Sequence, residues 1–85
     1  MIIRFTSRFK KAYKKMPIFV KAKAEEKEKF FQKNPFDSRL DTHKLHGKYK
    51  EYLAFTVTGQ YRIIFAFSGV EFVDFINIGT HEIYK

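Results

Sequence analysis

Two residues carry the strongest chemical signal in this chain. His81 follows Gly79-Thr80 directly, where a run of strand-like residues ends. An imidazole titrates near neutral pH and can give or take a proton there. Arg62 interrupts the otherwise apolar run Tyr61-Arg62-Ile63-Ile64-Phe65-Ala66-Phe67. An unpaired charge in such a strand is expensive, so it needs a partner or a task. A guanidinium can grip a phosphate through two parallel hydrogen bonds. The bland alternatives are a structural salt bridge from Arg62 to Glu51 or Asp74, and an exposed tail histidine with no task.

Weaker signals surround these two. Lys48 and Lys50 lie two residues apart, which on an extended strand turns both to one face. They can bind phosphates, or simply be solvated. Tyr84 offers a ring that can stack on a base or orient a phosphate. Tyr52 and Tyr61 read as sheet-packing residues. His43 and His46 form a His-x-x-His pair that could hold a metal with His81 as third ligand. No Cys or carboxylate completes a convincing site, so no metal is expected.

The elements that must position these residues follow from periodicity. Residues 2–6 alternate as a short strand, with Ile3 and Phe5 on one face. Ser7 is placed to cap the helix that follows. Phe9, Ala12, Tyr13 and Met16 recur at helical spacing, with lysines between them. Pro17 ends that helix and can start the next, which runs to about Lys33. The pairs Phe19/Phe30 and Val20/Phe31 are each eleven residues apart, close to three turns, so each pair shares a stripe. Glu25 and Lys29 are spaced as an ion pair on the wet face. Asn34-Pro35 closes the helix hairpin.

Residues 34–48 read as irregular. Residues 49–57 alternate as a second strand, Thr58-Gly59-Gln60 is a turn, and Tyr61 to Phe67 reads as a central strand covered on both faces. Ser68-Gly69 turns the chain into a last strand, Val70 to Ile78. The order β-α-α-β-β-β predicts an α+β, two-layer domain: a helical hairpin packed on one face of an antiparallel sheet. The first strand should join the sheet, with a partner that the pattern does not name.

Composition bounds the function classes. The 85 residues make a single domain, 1–85, and a 19% aromatic content supplies a core without staples. With no cysteine, disulfides and thiolate metal sites are excluded, which suits a cytoplasmic protein. No apolar run approaches the roughly 18–20 residues of a membrane span, and Met1 to Thr6 does not form a secretion signal. Seventeen Lys and Arg against nine Asp and Glu give a formal net charge of +8, which favours a polyanion or an acidic protein as partner. The lysines of the helices, Lys10 to Lys29, are a solvated face or a contact for a polyanion.

Three stretches resemble the RelE/ParE toxin superfamily. They are Asn34-Pro35-Phe36-Asp37, then Leu45-His46-Gly47-Lys48-Tyr49-Lys50-Glu51-Tyr52, then Tyr61-Arg62-Ile63-Ile64-Phe65 with Ile78-Gly79-Thr80-His81. The last pair is similar to the "YRIIF … IGTH" signature of RelE-like and YafQ-like members, and the likeness spans nearly the whole chain. It implies the toxin of a type II toxin-antitoxin system: a metal-independent endoribonuclease that cuts messenger RNA on the ribosome, near 16S ribosomal RNA, and is held by a cognate antitoxin. No cofactor is implied. The ParE branch, which arrests gyrase without cutting RNA, and an inactive homologue that only binds its antitoxin are the alternatives.

Metal-free cleavage needs a base for the 2′-hydroxyl, cations for the phosphorane and an acid for the leaving 5′-oxygen. The resemblance assigns His81 to proton transfer and Arg62 to the phosphorane. It adds His46 and Tyr84 to the catalytic set, less clearly His43, and makes Lys48, Lys50 and Lys85 RNA-binding. In many members the aromatic lies four residues after the histidine; Tyr84 lies three after.

Overall fold

A computed structural model describes residues 1–84. Two helices, α1 (Ser7–Lys14) and α2 (Ile18–Lys33), pack against a five-stranded sheet. The strands are β1 (Ile2–Phe5), β2 (His43–Lys44), β3 (Leu53–Thr58), β4 (Tyr61–Ser68) and β5 (Phe72–Gly79), in the spatial order β1-β5-β4-β3-β2. The α+β class and the helix-on-sheet layers are those the periodicity predicts. β3, β4 and β5 form the expected antiparallel meander. β1 supplies what the pattern left open: it pairs in parallel with β5, Ile2 opposite Phe72 and Phe5 opposite Phe75, so the sheet is mixed.

Local chemistry explains the boundaries. Thr6, not Ser7, caps α1. Its backbone is extended, its hydroxyl accepts from the Phe9 amide at 3.1 Å, and the same hydroxyl lies 3.0 Å from the Phe75 carbonyl. One side chain therefore starts the helix and ties it to β5. Pro17 sits at the N-cap of α2, where its missing N–H costs nothing. Gly59 and Gly69 adopt positive φ at the two hairpin turns, a conformation that side chains disfavour.

The helix side of the sheet holds the main core. Val20, Ala24 and Phe31 of α2 and Phe9 of α1 bury against Leu53, Phe55, Val57, Ile63, Phe65, Val73, Phe75 and Ile78. The Val20/Phe31 stripe is thus the buried one. Its neighbour is not: Phe19 is 60% exposed, edge-on to Tyr61, and Phe30 lies beneath the Arg39 guanidinium at 3.8 Å. Among the described residues the ion pair on α2 is Lys23–Glu26 at 3.3 Å, in place of the expected Glu25–Lys29 pair.

The opposite face is covered more thinly, by Leu45, Ala54 and Ile64 with Tyr49, Tyr52, Ile76, Ile83 and Tyr84. A bulge decides what reaches it. Ile64 pairs with Asn77 but Phe65 with Phe75, leaving Ile76 as the extra residue of β5. The extra residue reverses the alternation, so Ile78 returns to the helix side and Gly79 turns to the thin face.

The strand expected over 49–57 begins only at Leu53. Residues Gly47–Tyr49 form a 3₁₀ turn, entered by Gly47 at φ +67°. The premise that put Lys48 and Lys50 on one face therefore fails, because residues two apart on a 3₁₀ turn diverge.

Replacing Phe31 with Ala should lower the unfolding free energy by about 3–5 kcal/mol, read from urea titration. Phe19→Ala, at an exposed position, should cost less than about 1 kcal/mol.

Candidate functional site

β4 begins where β5 ends. In the ladder Arg62 faces Thr56 on one side and Gly79 on the other. Alternation along β4 sends Ile63 and Phe65 into the helix-side core, so Arg62, like Ile64, turns to the thin face. The guanidinium donates to the Gly59 carbonyl at 3.3 Å, which braces it against its own hairpin turn. Neither carboxylate suggested by the sequence pairs with it among the described residues. Asp74 accepts from Arg4, its register partner on β1, at 2.6 and 3.1 Å. Among the described residues, most of the donor capacity of Arg62 is left for another acceptor.

Just beyond Gly79, residues His81–Tyr84 coil into a short 3₁₀ helix. That period is three, so residues 81 and 84 eclipse. Their rings meet edge to face, with centroids 6.3 Å apart. The spacing that departs from the family pattern is thus the one that joins the two rings here. Gly79 permits the fold-back: a Cβ there would lie 2.5 Å from Ile83 Cγ2.

Tyr84 packs its ring on the thin-face cluster, and its hydroxyl is shielded from solvent with no hydrogen-bond partner among the described residues. Burial raises its pKa above the ordinary tyrosine value, and the nearby Arg62 charge opposes that rise. Arg62 faces Gly79 across the ladder and Tyr84 touches His81 just beyond Gly79, so three of the expected residues lie near one corner of the sheet. The His81 imidazole stays exposed.

The fourth, His46, is exposed at the N-cap of the 47–49 turn and makes no capping bond. His43 is also exposed, its Nδ1 3.1 Å from the Asp41 carbonyl. Among the described residues no three His, Asp or Glu side chains cluster in a way that could hold a metal. Lys48 and Lys50 are exposed, with the Lys48 ammonium 5.2 Å from the centre of the Tyr49 ring. Lys85 lies outside the described residues.

Two cavities open beside α1. One, of about 540 Å³, is lined by Phe5, Phe9, Tyr13 and Phe75, with Glu25 and Glu28 among the charged groups. Burial, then Glu25, raises the Glu28 pKa. The other, of about 550 Å³, sets Arg8, Lys11 and Lys15 beside Ile83. Arg62 and His81 line neither of these two. No helix among the described residues is long and apolar enough to cross a membrane.

Sequence reasoning passed over one group. Tyr52 reads as a packing residue and Tyr49 receives no role, yet both are half-exposed on the thin face, their rings 6.2 Å apart. The signal available was the alternation of lysine and tyrosine in Lys48-Tyr49-Lys50.

No protein-family model matches the sequence, and no curated protein matches it. Solved structures do. The YoeB/ParE toxin from Agrobacterium tumefaciens superimposes with a TM-score of 0.78 at 17% identity, covering 95% of this chain and 99% of that one. YafQ from E. coli gives 0.75 at 18% identity, covering 96% and 94%. RelE, in the RelB-RelE antitoxin-toxin complex from Methanococcus jannaschii, gives 0.74 at 23% identity, covering 94% and 93%. The chain has the fold of the RelE/ParE toxins.

The buried hydroxyl yields a test. Tyr84→Phe removes a group that has lost water without gaining a partner, so the variant should match wild-type stability or exceed it by about 1 kcal/mol. In a difference ultraviolet titration, the transition that disappears should lie above roughly pH 10. Because the folded pKa is the higher one, wild-type stability is full below the unfolded tyrosine value and falls as pH rises through the folded one. Tyr84→Phe should not show that part of the fall. A variant clearly less stable than wild type would mean that the hydroxyl has a stabilising partner.

Proposed function

We propose that this protein is the toxin of a toxin-antitoxin pair and cuts messenger RNA without a metal, using Arg62 and His81. The observation that carries the reading is their placement: the Arg62 strand position faces Gly79, and just beyond Gly79 an exposed His81 imidazole stands against the ring of Tyr84.

The 2′-oxygen of the RNA attacks the adjacent phosphorus as its proton leaves. A phosphorane forms, the bond to the 5′-oxygen breaks, and that oxygen takes up a proton. The products are a 2′,3′-cyclic phosphate and a 5′-hydroxyl. Arg62 stabilises the added negative charge with paired N–H donors. His81 carries one of the two proton transfers, since its imidazole can act either way near neutral pH. Tyr84 orients the pair. His46 and Lys48 are candidates for the second transfer, with Lys50 and Lys85 as further phosphate contacts.

Arg8, Lys11 and Lys15, beside the same C-terminal turn, add a basic strip for ribosomal RNA. The RelE of Methanococcus jannaschii is held in a complex with RelB; an antitoxin plays that part here, in the cytoplasm. A second reading has one observation in its favour. Ile18 is 85% exposed and Phe19 60% exposed at the start of α2, an apolar tip suited to seizing a protein such as gyrase without chemistry.

Transcript ends mapped after brief induction separate the two. The nuclease reading expects cut messages with cyclic phosphate ends, insensitivity to chelator, and resistance of RNA carrying a 2′-deoxy nucleotide at the cut. His81→Ala and Arg62→Ala should each slow cleavage by about 100-fold or more while the fold persists. Wild-type cutting by the soluble double variant, or DNA damage with intact transcripts, would discard the assignment.

A further inference from the structure

We propose that Tyr49 and Tyr52, with Lys48, form a subsite that stacks an unpaired RNA base next to the scissile phosphate. The inference rests on the nuclease reading and extends it from cleavage to the grip on a neighbouring nucleotide.

Both rings lie on the thin face of the sheet, fastened to the same small cluster of Leu45, Ala54 and Ile64 that carries Tyr84. They are half-exposed, 6.2 Å apart and tilted by 38°, so each keeps part of its surface uncovered. Among the described residues Tyr84 has the one buried side-chain oxygen or nitrogen without a partner, so the Tyr49 and Tyr52 hydroxyls are not stranded in the core. The Lys48 ammonium stands 5.2 Å from the Tyr49 centroid, and Lys50 follows. Cations interleaved with aromatic rings are what single-stranded nucleic acid requires: rings for the bases, charges for the backbone.

The backbone holds the rings in place beforehand. The Tyr52 amide donates to the Tyr49 carbonyl at 2.9 Å, and the Leu45 amide donates to the Tyr52 carbonyl at 3.1 Å. Leu45 and Tyr52 thereby continue the β2–β3 ladder, in which Lys44 faces Leu53. Rings fixed in this way lose little freedom when a base arrives. The subsite is also within reach of the corner. Thr56 is the ladder partner of Arg62, and the chain from Tyr52 to Thr56 spans about 13 Å at strand rise. A strand of RNA with its phosphate at Arg62 would lay a neighbouring base over the tyrosines.

The competing explanation is that the two rings only cover the small cluster. Leucine separates the cases, since it covers apolar surface but cannot stack. The probe is a set of short RNAs blocked by a 2′-O-methyl group at the cut, each with one abasic position. Binding is measured both on the free RNA and on ribosomes programmed with it. Wild-type protein should lose about tenfold in affinity at one abasic position. The Tyr49→Leu/Tyr52→Leu double variant should lose about as much on intact RNA and be indifferent to that abasic position, while Tyr49→Phe and Tyr52→Phe should bind as wild type. Equal wild-type binding along the whole abasic series overturns the subsite, with no variant needed. So does a double variant that still feels the abasic position. In either case, continued cutting of unblocked RNA leaves the nuclease reading standing. Failure of wild-type protein to cut unblocked RNA, free or on ribosomes, removes both.

Discussion

The ring of Phe31 meets the rings of Phe55, Phe65 and Phe75, with centroids 5.1, 4.9 and 5.4 Å away. Each of the three comes from a different strand of the meander. One side chain of α2 thus fixes which face of β3, β4 and β5 is the inner one, and everything else follows by alternation. Ile64 and Arg62 must point the other way, and so must Ala54 and Thr56. The bulge at Ile76 lets β5 serve both sides, keeping Phe75 and Ile78 under the helices while its end emerges beside Arg62. The chemistry of the exposed corner is therefore a by-product of how the buried side is packed.

Much of this was legible in the residues. The run Ile63-Ile64-Phe65 marked a strand covered twice, Pro17 marked the break between the helices, and Gly59 and Gly69 marked turns that do require left-handed backbone. Arg62 and His81 stood out because a charge in an apolar strand and an imidazole at a strand's end are hard to explain by packing alone. What stayed hidden depends on tertiary neighbours. Alternation gave β1 a face but no partner, so its parallel pairing with β5 could not be read. Asp74 seemed available to Arg62 until that pairing assigned it to Arg4. Tyr49 and Tyr52 followed the alternation of a strand, yet Gly47 turns the chain before a strand can form. The bulge was invisible because Phe75, Ile76 and Ile78 are all apolar.

The thin face is where stability and function compete. Its cluster is small, and three of the five residues packed over it are tyrosines that stay partly exposed. A fuller hydrophobic layer there would strengthen the domain and bury the corner. The Tyr84 hydroxyl belongs to the same thin cover: a polar group shielded from water to which the described residues offer no partner.

The pairing of β1 with β5 also governs when the molecule can exist. Ile2 finds its partner at Phe72, so nearly the whole chain must be synthesised before the opening strand has anywhere to go. The hairpins of β3, β4 and β5 close over short distances in sequence and can assemble early, whereas the closure made by β1 is long-range and slow. A nascent chain would leave the ribosome unfinished at its very first strand. Its finished surface, including the end of β5 beside Arg62, would be complete only once β5 has emerged to receive β1.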